Sequence, residues 1–549
     1  MIDGTGAERF VADIAIDDGR IVAIGANLVG DKTIDACGLV VAPGFIDIHT
    51  HYDAQVFWDR WLTPSSLHGV TTVVAGNCGF TLAPTREEDR ELVMQTLEYV
   101  EDMAIDTLRE GIDWSFSSVG EYLDLVAKKG VAVNFAAYVG HSAVRAYVMG
   151  SDAYELEATE KQIGRMCEVV TKSLDEGAIG FSSSFSPGHF GVGGMPVPSR
   201  AGTAEEFTSL VKTVASLKGL VSLVPGENCT FENIYRLQQE TASRFTYAGI
   251  ISSPDGSHRQ LLDLNARGWK NGQTVWPQVT SRPVVMSFSL AKPTQFHVNT
   301  EFNALVSASI AQRRAAYADP SWRARASVSW RAERVVAGST ANAEPLWGRL
   351  VISESLAHPE LIDRQLNEVA LERGVSPLDL LLDLAMEEPN LDLHVKYIMF
   401  NDDVEAVKEI LREPGCTMGL SDAGAHVGQL CDAPQATDFL GNWVRDRSLM
   451  GLEEAVRKLT GTQAEVLALT DRGYIREGAW ADIVVFDPQT ISPGPLRRVR
   501  DFPAGGERLT ADSPSGIVHV LVNGSPIIQD GNQVKDAQLA GQVLRSFGS

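Results

Sequence analysis

Three observations predict an α/β fold, a (β/α)8 TIM barrel joined to a small β module. Strand-like runs alternate with amphipathic helical stretches from residue 41 to about 470, short strands with tight turns precede that region, and β patterning returns after residue 473. The chain has 549 residues, enough for one barrel of about 250 to 400 residues and a smaller module. The expected organisation is an N-terminal β part at 1–40, a barrel at 41–472 and a C-terminal β part at 473–549.

At the N-terminus, residues 11–16 and 21–24 read as strands joined by a hairpin turn at Asp17-Asp18-Gly19. Eight further runs read as barrel strands: 44–51, 70–75, 131–140, 178–183, 220–224, 247–252, 274–279 and 417–421. The segment from about 283 to 354 is too long for an ordinary connection. It reads equally well as an insertion over the barrel mouth and as a structural excursion. Beyond 473, residues 473–475, 481–486 and 519–524 return to strand patterning, so both ends of the chain are expected to build one β module.

Charge and cysteine usage narrow the partners. Lys and Arg number 47 against 71 Asp and Glu, a net charge of −24, which repels phosphate backbones and anionic membrane surfaces. Nucleic acid and membranes are therefore not expected partners, and a small-molecule substrate is. Six cysteines, at 37, 78, 167, 229, 416 and 431, show no disulfide or zinc-ribbon spacing. The first residues carry neither a basic nor an apolar leader region, and no run of 18 or more apolar residues occurs. A cytoplasmic protein is the expectation, and a homo-oligomer follows only from the frequency of symmetric assemblies.

The stretch Gly44-Phe45-Ile46-Asp47-Ile48-His49-Thr50-His51 carries the chemistry. Strand side chains alternate faces, so His49 and His51 project together where the strand ends. Two imidazoles on one rigid strand are a metal-site signature, although a lone strand histidine is more often simply packed and hydrogen-bonded. Asp422 closes the last strand in Ser421-Asp422-Ala423-Gly424, where it can bind a metal and move a proton; the alternative is a helix N-cap. Cys78, flanked by Gly76 and Gly79, is placed as a thiolate ligand or as a small core cysteine.

His141 follows the third strand, where its ring can polarise a substrate carbonyl, and Arg145 can hold a carboxylate; both also read as helix-start residues with solvated partners. Glu227 is a weaker substrate-site candidate, with His258, Arg282 and His426. A structural role is the default for His68, His189, His297, His358, His394 and His519.

Taken together, "GFIDIHTHYD", "GVTTVVAGNCGF", "GAIGFSSS", "GLSDAGAH", "GYIREGAWADIVVFDP" and "VLVNG" resemble the amidohydrolase superfamily, specifically its N-acyl-D-amino-acid deacylase branch. The resemblance implies a metal-bearing barrel with a β-sandwich built from both termini, hydrolysing amide bonds of N-acylated amino acids. By position, His49, His51 and Asp422 match the first metal position, Cys78 the cysteine ligand, Asp422 the catalytic acid/base and Glu227 a downstream glutamate. The branch carries histidines on the fifth and sixth strands. Here Val221-Ser222-Leu223-Val224-Pro225 and Ile250-Ile251-Ser252-Ser253-Pro254 stand instead, with His258 several residues late. One divalent ion, zinc by the donor set, is therefore expected rather than two. The rivals are hydrolysis of a cyclic amide, lactone or carbamate, and a catalytically silent, metal-free barrel that binds a ligand.

Overall fold

The computed structural model describes residues 1–191, 194–296, 299–329, 333–334, 340–341 and 347–545. His297 lies outside them. The chain divides into one unit of residues 1–282, 403–427 and 431–549, and a second of residues 283–402 and 428–430.

The first unit is organised by eight parallel strands. They are β1 (Phe45–Asp47), β2 (Val70–Ala75), β3 (in two pieces, Asn134–Ala137 and Val139–Gly140), β4 (Gly180–Ser184), β5 (Leu220–Val224), β6 (Arg244–Ala248), β7 (Val275–Val279) and β8 (Thr417–Met418). Each pairs in parallel with its sequence neighbours, β1 to β2 to the first piece of β3, and the second piece of β3 onward through β8. A parallel bridge from Thr50 to Ala423 joins the continuations of β1 and β8. Every residue of β2 is buried, as expected of parallel strands covered on both faces. Val73, Phe135, Phe181, Val221, Phe245 and Val275 are among the core residues.

The sixth strand begins at Arg244 rather than Tyr247. Arg244 pairs with Leu220 of β5 and delivers its guanidinium to the carbonyls of Lys218 and Val466, so a charged residue opens the strand and hides it from apolar patterning. The N-terminal hairpin forms from Asp13–Asp17 and Arg20–Gly25, with Asp18 and Gly19 both at positive φ (45° and 75°) as a two-residue turn of this hand requires. Val40–Pro43 pairs with Ile483–Phe486 in a five-stranded antiparallel sheet completed by Ile517–Val522, Ser525–Gln529 and Asn532–Gln533. Residues from both ends of the chain thus share one sheet.

The second unit corrects the extent of the expected insertion, which runs from Pro283 to Asp402 rather than ending near 354. His394–Phe400 pairs antiparallel with both Val284–Ser289 and Leu350–Glu354. This unit has its own core, including Phe302, Tyr317, Leu366, Leu381, Leu384 and Leu393.

Candidate metal centre

His49 and His51 lie just beyond β1, where the backbone is locked on both sides. Thr50 donates its N–H to Val74 O at 3.1 Å, and His51 donates its N–H to Ala423 O at 2.7 Å. Ser421 Oγ donates to His49 O at 2.9 Å. These bonds set Asp422 beside the histidine strand, with φ at +44°. No helix begins there, so the N-cap alternative for Asp422 does not hold.

Cys78 sits in the turn after β2, at φ +56° between Gly76 (+81°) and Gly79 (+82°). The glycines are required: a Cβ on Gly76 would lie 2.7 Å from the Thr81 side chain, and one on Gly79 would crowd the Ser183 backbone. Side chains from the segment after β1 and from two other strands, β4 and β5, hold this turn. Asp53 Oδ2 accepts from Gly76 N at 2.8 Å. Asn77 Nδ2 donates to Val74 O (3.0 Å), Ile48 O and Thr50 O (both 3.3 Å), and Asn77 Oδ1 accepts from Ser222 Oγ of β5 at 3.2 Å. Ser182 of β4 donates to Gly76 O at 2.5 Å and accepts from Gly79 N at 3.1 Å.

The result is a buried cluster in which one donor atom from each of His49, His51 and Cys78 lies within 4.8 Å of the others. Cys78 Sγ is 3.5 Å from His49 Nε2, and Asp422 Oδ1 is 3.0 Å from His49 Nε2 and 3.8 Å from His51 Nε2. A tetrahedral cation with bonds of about 2.0 to 2.3 Å needs donors roughly 3 to 4 Å apart, and these spacings fit.

Both imidazoles are also oriented from behind. His49 Nδ1 is 2.6 Å from Gln278 Oε1, whose own Nε2 donates to Thr246 Oγ1 at 3.1 Å. His51 Nδ1 lies 3.0 Å from Glu101 Oε1 at the end of helix α1 (Arg90–Glu101). The Gln278 acceptor behind His49 and the Glu101 charge beside His51 favour the proton on Nδ1 and leave Nε2 free to ligate. Sequence reasoning missed both partners. A neutral amide inside the apolar run Val275–Val279 was the available signal for Gln278, whereas Glu101 looks like any helix carboxylate.

Electrostatics ask for positive charge at this point. Burial works against a charged His49, but Cys78 and Asp422 outweigh it and draw its pKa up to about 10. Burial alone would raise the Cys78 thiol, yet the two histidines bring it down, and they hold Asp422 well below the carboxylate range against the same burial. Thiolate and carboxylates packed around two imidazoles must be matched by protons on the rings or by a cation in their place.

Three expected site residues, His141, Arg145 and Glu227, are not in this cluster. His141 opens helix α2 (His141–Met149) wholly buried, with Nδ1 2.8 Å from Ser183 Oγ and Nε2 2.7 Å from Glu206 Oε1. Arg145, one turn later, pairs with the other oxygen of Glu206 and donates to Leu156 O at 2.7 Å. Both side chains are spent in a sealed ion-pair network with Glu206 of helix α3 (Ala204–Ser216), so neither is available to a substrate. Glu227 is exposed in the loop after β5, and among the described residues no metal-binding donor from β5 or β6 joins the cluster.

Of the weaker candidates, Arg282 pairs with Asp432 (2.5 Å) and Asp438 (3.6 Å). His258 is buried 3.9 Å from Glu409. His426 bears electrostatically on Glu101 and Asp422, and His189 on the same cup through His51 and Asp422. His189 lies against Phe80 with ring centroids 5.3 Å apart and the planes tilted by 59°. His68 is buried between Thr437 Oγ1 and Ala511 O, and His358, His394 and His519 pair with nearby carboxylates.

Parallel strands with a two-histidine, cysteine and carboxylate cup at their ends define a metal-binding α/β protein. The chain belongs to the amidohydrolase family, which it matches over residues 32–528. It is 31% identical to a D-aminoacylase of Alcaligenes xylosoxydans xylosoxydans across 99% of this chain and 96% of that protein. A solved D-aminoacylase, described as having a binuclear metal centre with one-metal activation and second-metal attenuation, superposes with a TM-score of 0.67 at 28% identity, covering 99% of this chain and 98% of that one. N-acyl-D-glutamate deacylase of Bordetella bronchiseptica, solved with zinc and a phosphonate inhibitor, gives 0.67 at 27% identity, covering 99% and 97%. No helix among the described residues is long and apolar enough to cross a membrane.

Proposed function

We propose that this protein is a metal-dependent hydrolase that cleaves the amide bond of an N-acylated amino acid, with the cluster at the ends of β1, β2 and β8 as its centre. The convergence of His49, His51 and Cys78 within ligand spacing, with Asp422 beside both histidines, carries this reading, and the deacylase relatives support its substrate class. We read the eight parallel strands as a closed (β/α)8 barrel, which puts the cluster at the C-terminal ends of the strands, where barrel enzymes carry their chemistry. The shared five-stranded sheet supports a terminal β-sandwich.

One ion, zinc by its donor set, would be held by His49, His51, Cys78 and Asp422. A divalent cation there would supply Lewis acidity, lowering the pKa of water to near neutral pH and polarising the scissile carbonyl. Gln278 and Glu101 keep the two imidazoles aimed. Asp422 would accept the proton of the attacking water and return it to the departing amine. The absence of donors on β5 and β6 favours a single ion.

The test combines elemental analysis of purified protein with a hydrolysis panel of N-acetylated D- and L-amino acids, cyclic amides, lactones and carbamates. About one zinc per chain and chelator-sensitive release of free amino acid are expected. Protein that holds no ion and accepts none refutes the reading, and turnover confined to the cyclic or ester compounds redirects it.

A further inference from the structure

With Arg145 spent on Glu206, an N-acyl amino acid needs another partner for its carboxylate. Charge makes the need acute, because the protein carries a net charge of −24 and the cup gathers Asp422, Glu101 and the Cys78 thiol. The loop between β4 and α3 supplies a guanidinium in Arg200. Its Nη1 donates to His189 O at 3.1 Å, and its guanidinium carbon lies 5.0 Å from the Phe190 ring centroid. Nε and Nη2 have no partner among the described residues, and no carboxylate among them pairs with it.

Its position follows from its contacts. His189, whose carbonyl holds Arg200, packs its ring in a tilted contact on Phe80, two residues beyond Cys78, and meets Ser184 Oγ at the end of β4 with its Nδ1 at 2.7 Å. From the loop after β5, Asn228 Nδ2 donates to the carbonyls of Gly202 (2.7 Å) and Arg200 (3.4 Å), fixing the arginine backbone from a neighbouring strand. Exposed Glu227, beside Asn228, acts on Arg200 only from beyond ion-pair distance. A half-buried arginine with an open fork is suited to bidentate carboxylate recognition.

We propose that Arg200 binds the carboxylate of the substrate, a specificity role that rests on the hydrolase reading above. The experiment compares N-acetylmethionine, both enantiomers, with its primary carboxamide, using wild-type protein, Arg200→Gln and Arg200→Lys. For Arg200→Gln, KM for the acid should rise about 10- to 100-fold, as loss of a charge-assisted bond predicts. The carboxamide should be cleaved as by wild type, which also reports an intact fold, and Arg200→Lys should fall between. Equal losses on both compounds, or on neither, overturn the assignment. Calorimetric titration of the same acid into Asp422→Asn protein, with and without Arg200→Gln, separates the two readings. Arg200-dependent binding without turnover by wild type keeps this assignment and refutes the hydrolase, turnover with Arg200-independent binding does the reverse, and no binding refutes both.

Discussion

Gln278→Leu tests whether the cup is held in readiness for a cation from behind. Gln278 is fully buried, its Oε1 2.6 Å from His49 Nδ1 and its Nε2 bonded to Thr246. Leucine nearly preserves the volume and removes both bonds. His49 then keeps an unsatisfied ring N–H in a dry site or shifts its proton to Nε2, where it blocks ligation. Loss of an outer-shell partner weakens metal binding by about 10- to 100-fold, or about 1.4 to 2.7 kcal/mol. The assay is metal retention against graded chelator, with far-UV circular dichroism as the fold control. Gln278→Glu keeps an acceptor facing Nδ1 and should retain more metal than Gln278→Leu. Equal retention by wild type and Gln278→Leu, or no advantage of Glu over Leu, refutes the argument.

Asp422→Asn should lower turnover about 10²- to 10⁴-fold, the usual range for a lost general acid–base, while keeping most of the metal; comparable kcat values would remove Asp422 from proton transfer. Glu206→Leu leaves Arg145 buried and unpaired and should cost about 3 to 5 kcal/mol, read from urea unfolding, with Glu206→Leu/Arg145→Met losing less than the sum of the single changes. Burial holds His68 neutral, with a pKa near 4 against an ordinary 6.5, the Ala511 carbonyl only partly opposing. The native state therefore binds fewer protons than the unfolded chain at this site. Its contribution is complete above about pH 6.5 and shrinks as pH falls toward 4, by about 3 kcal/mol in all. His68→Gln should flatten that acid decline, and an unchanged stability profile between pH 7 and 4 would contradict the linkage.

The parallel strands and the proximity of His49, His51, Cys78 and Asp422 were legible because each is written locally. Alternation along 44–51 places His49 and His51 on one face, and the glycines around Cys78 mark a close turn. What patterning could not show was pairing at a distance. Arg145 looks available until Glu206, in the next helix but one, is seen to neutralise it, and Glu101 looks ordinary until His51 lies beside it. The expected insertion, 283–354, covers only part of the second unit, whose strand His394–Phe400 pairs back onto Val284–Ser289 across more than a hundred residues.

The bridge from Thr50 to Ala423 has a consequence for biosynthesis. Three donors are translated within the first 78 residues, but the fourth arrives only with residue 422. A nascent chain can offer a cation only an incomplete, exchangeable grip, and full affinity must wait until the last strand has been made and docked against the first. If these four residues hold the ion as proposed, metal loading would be a late event in maturation, and cells short of the metal during synthesis should still yield chains that can be activated afterwards.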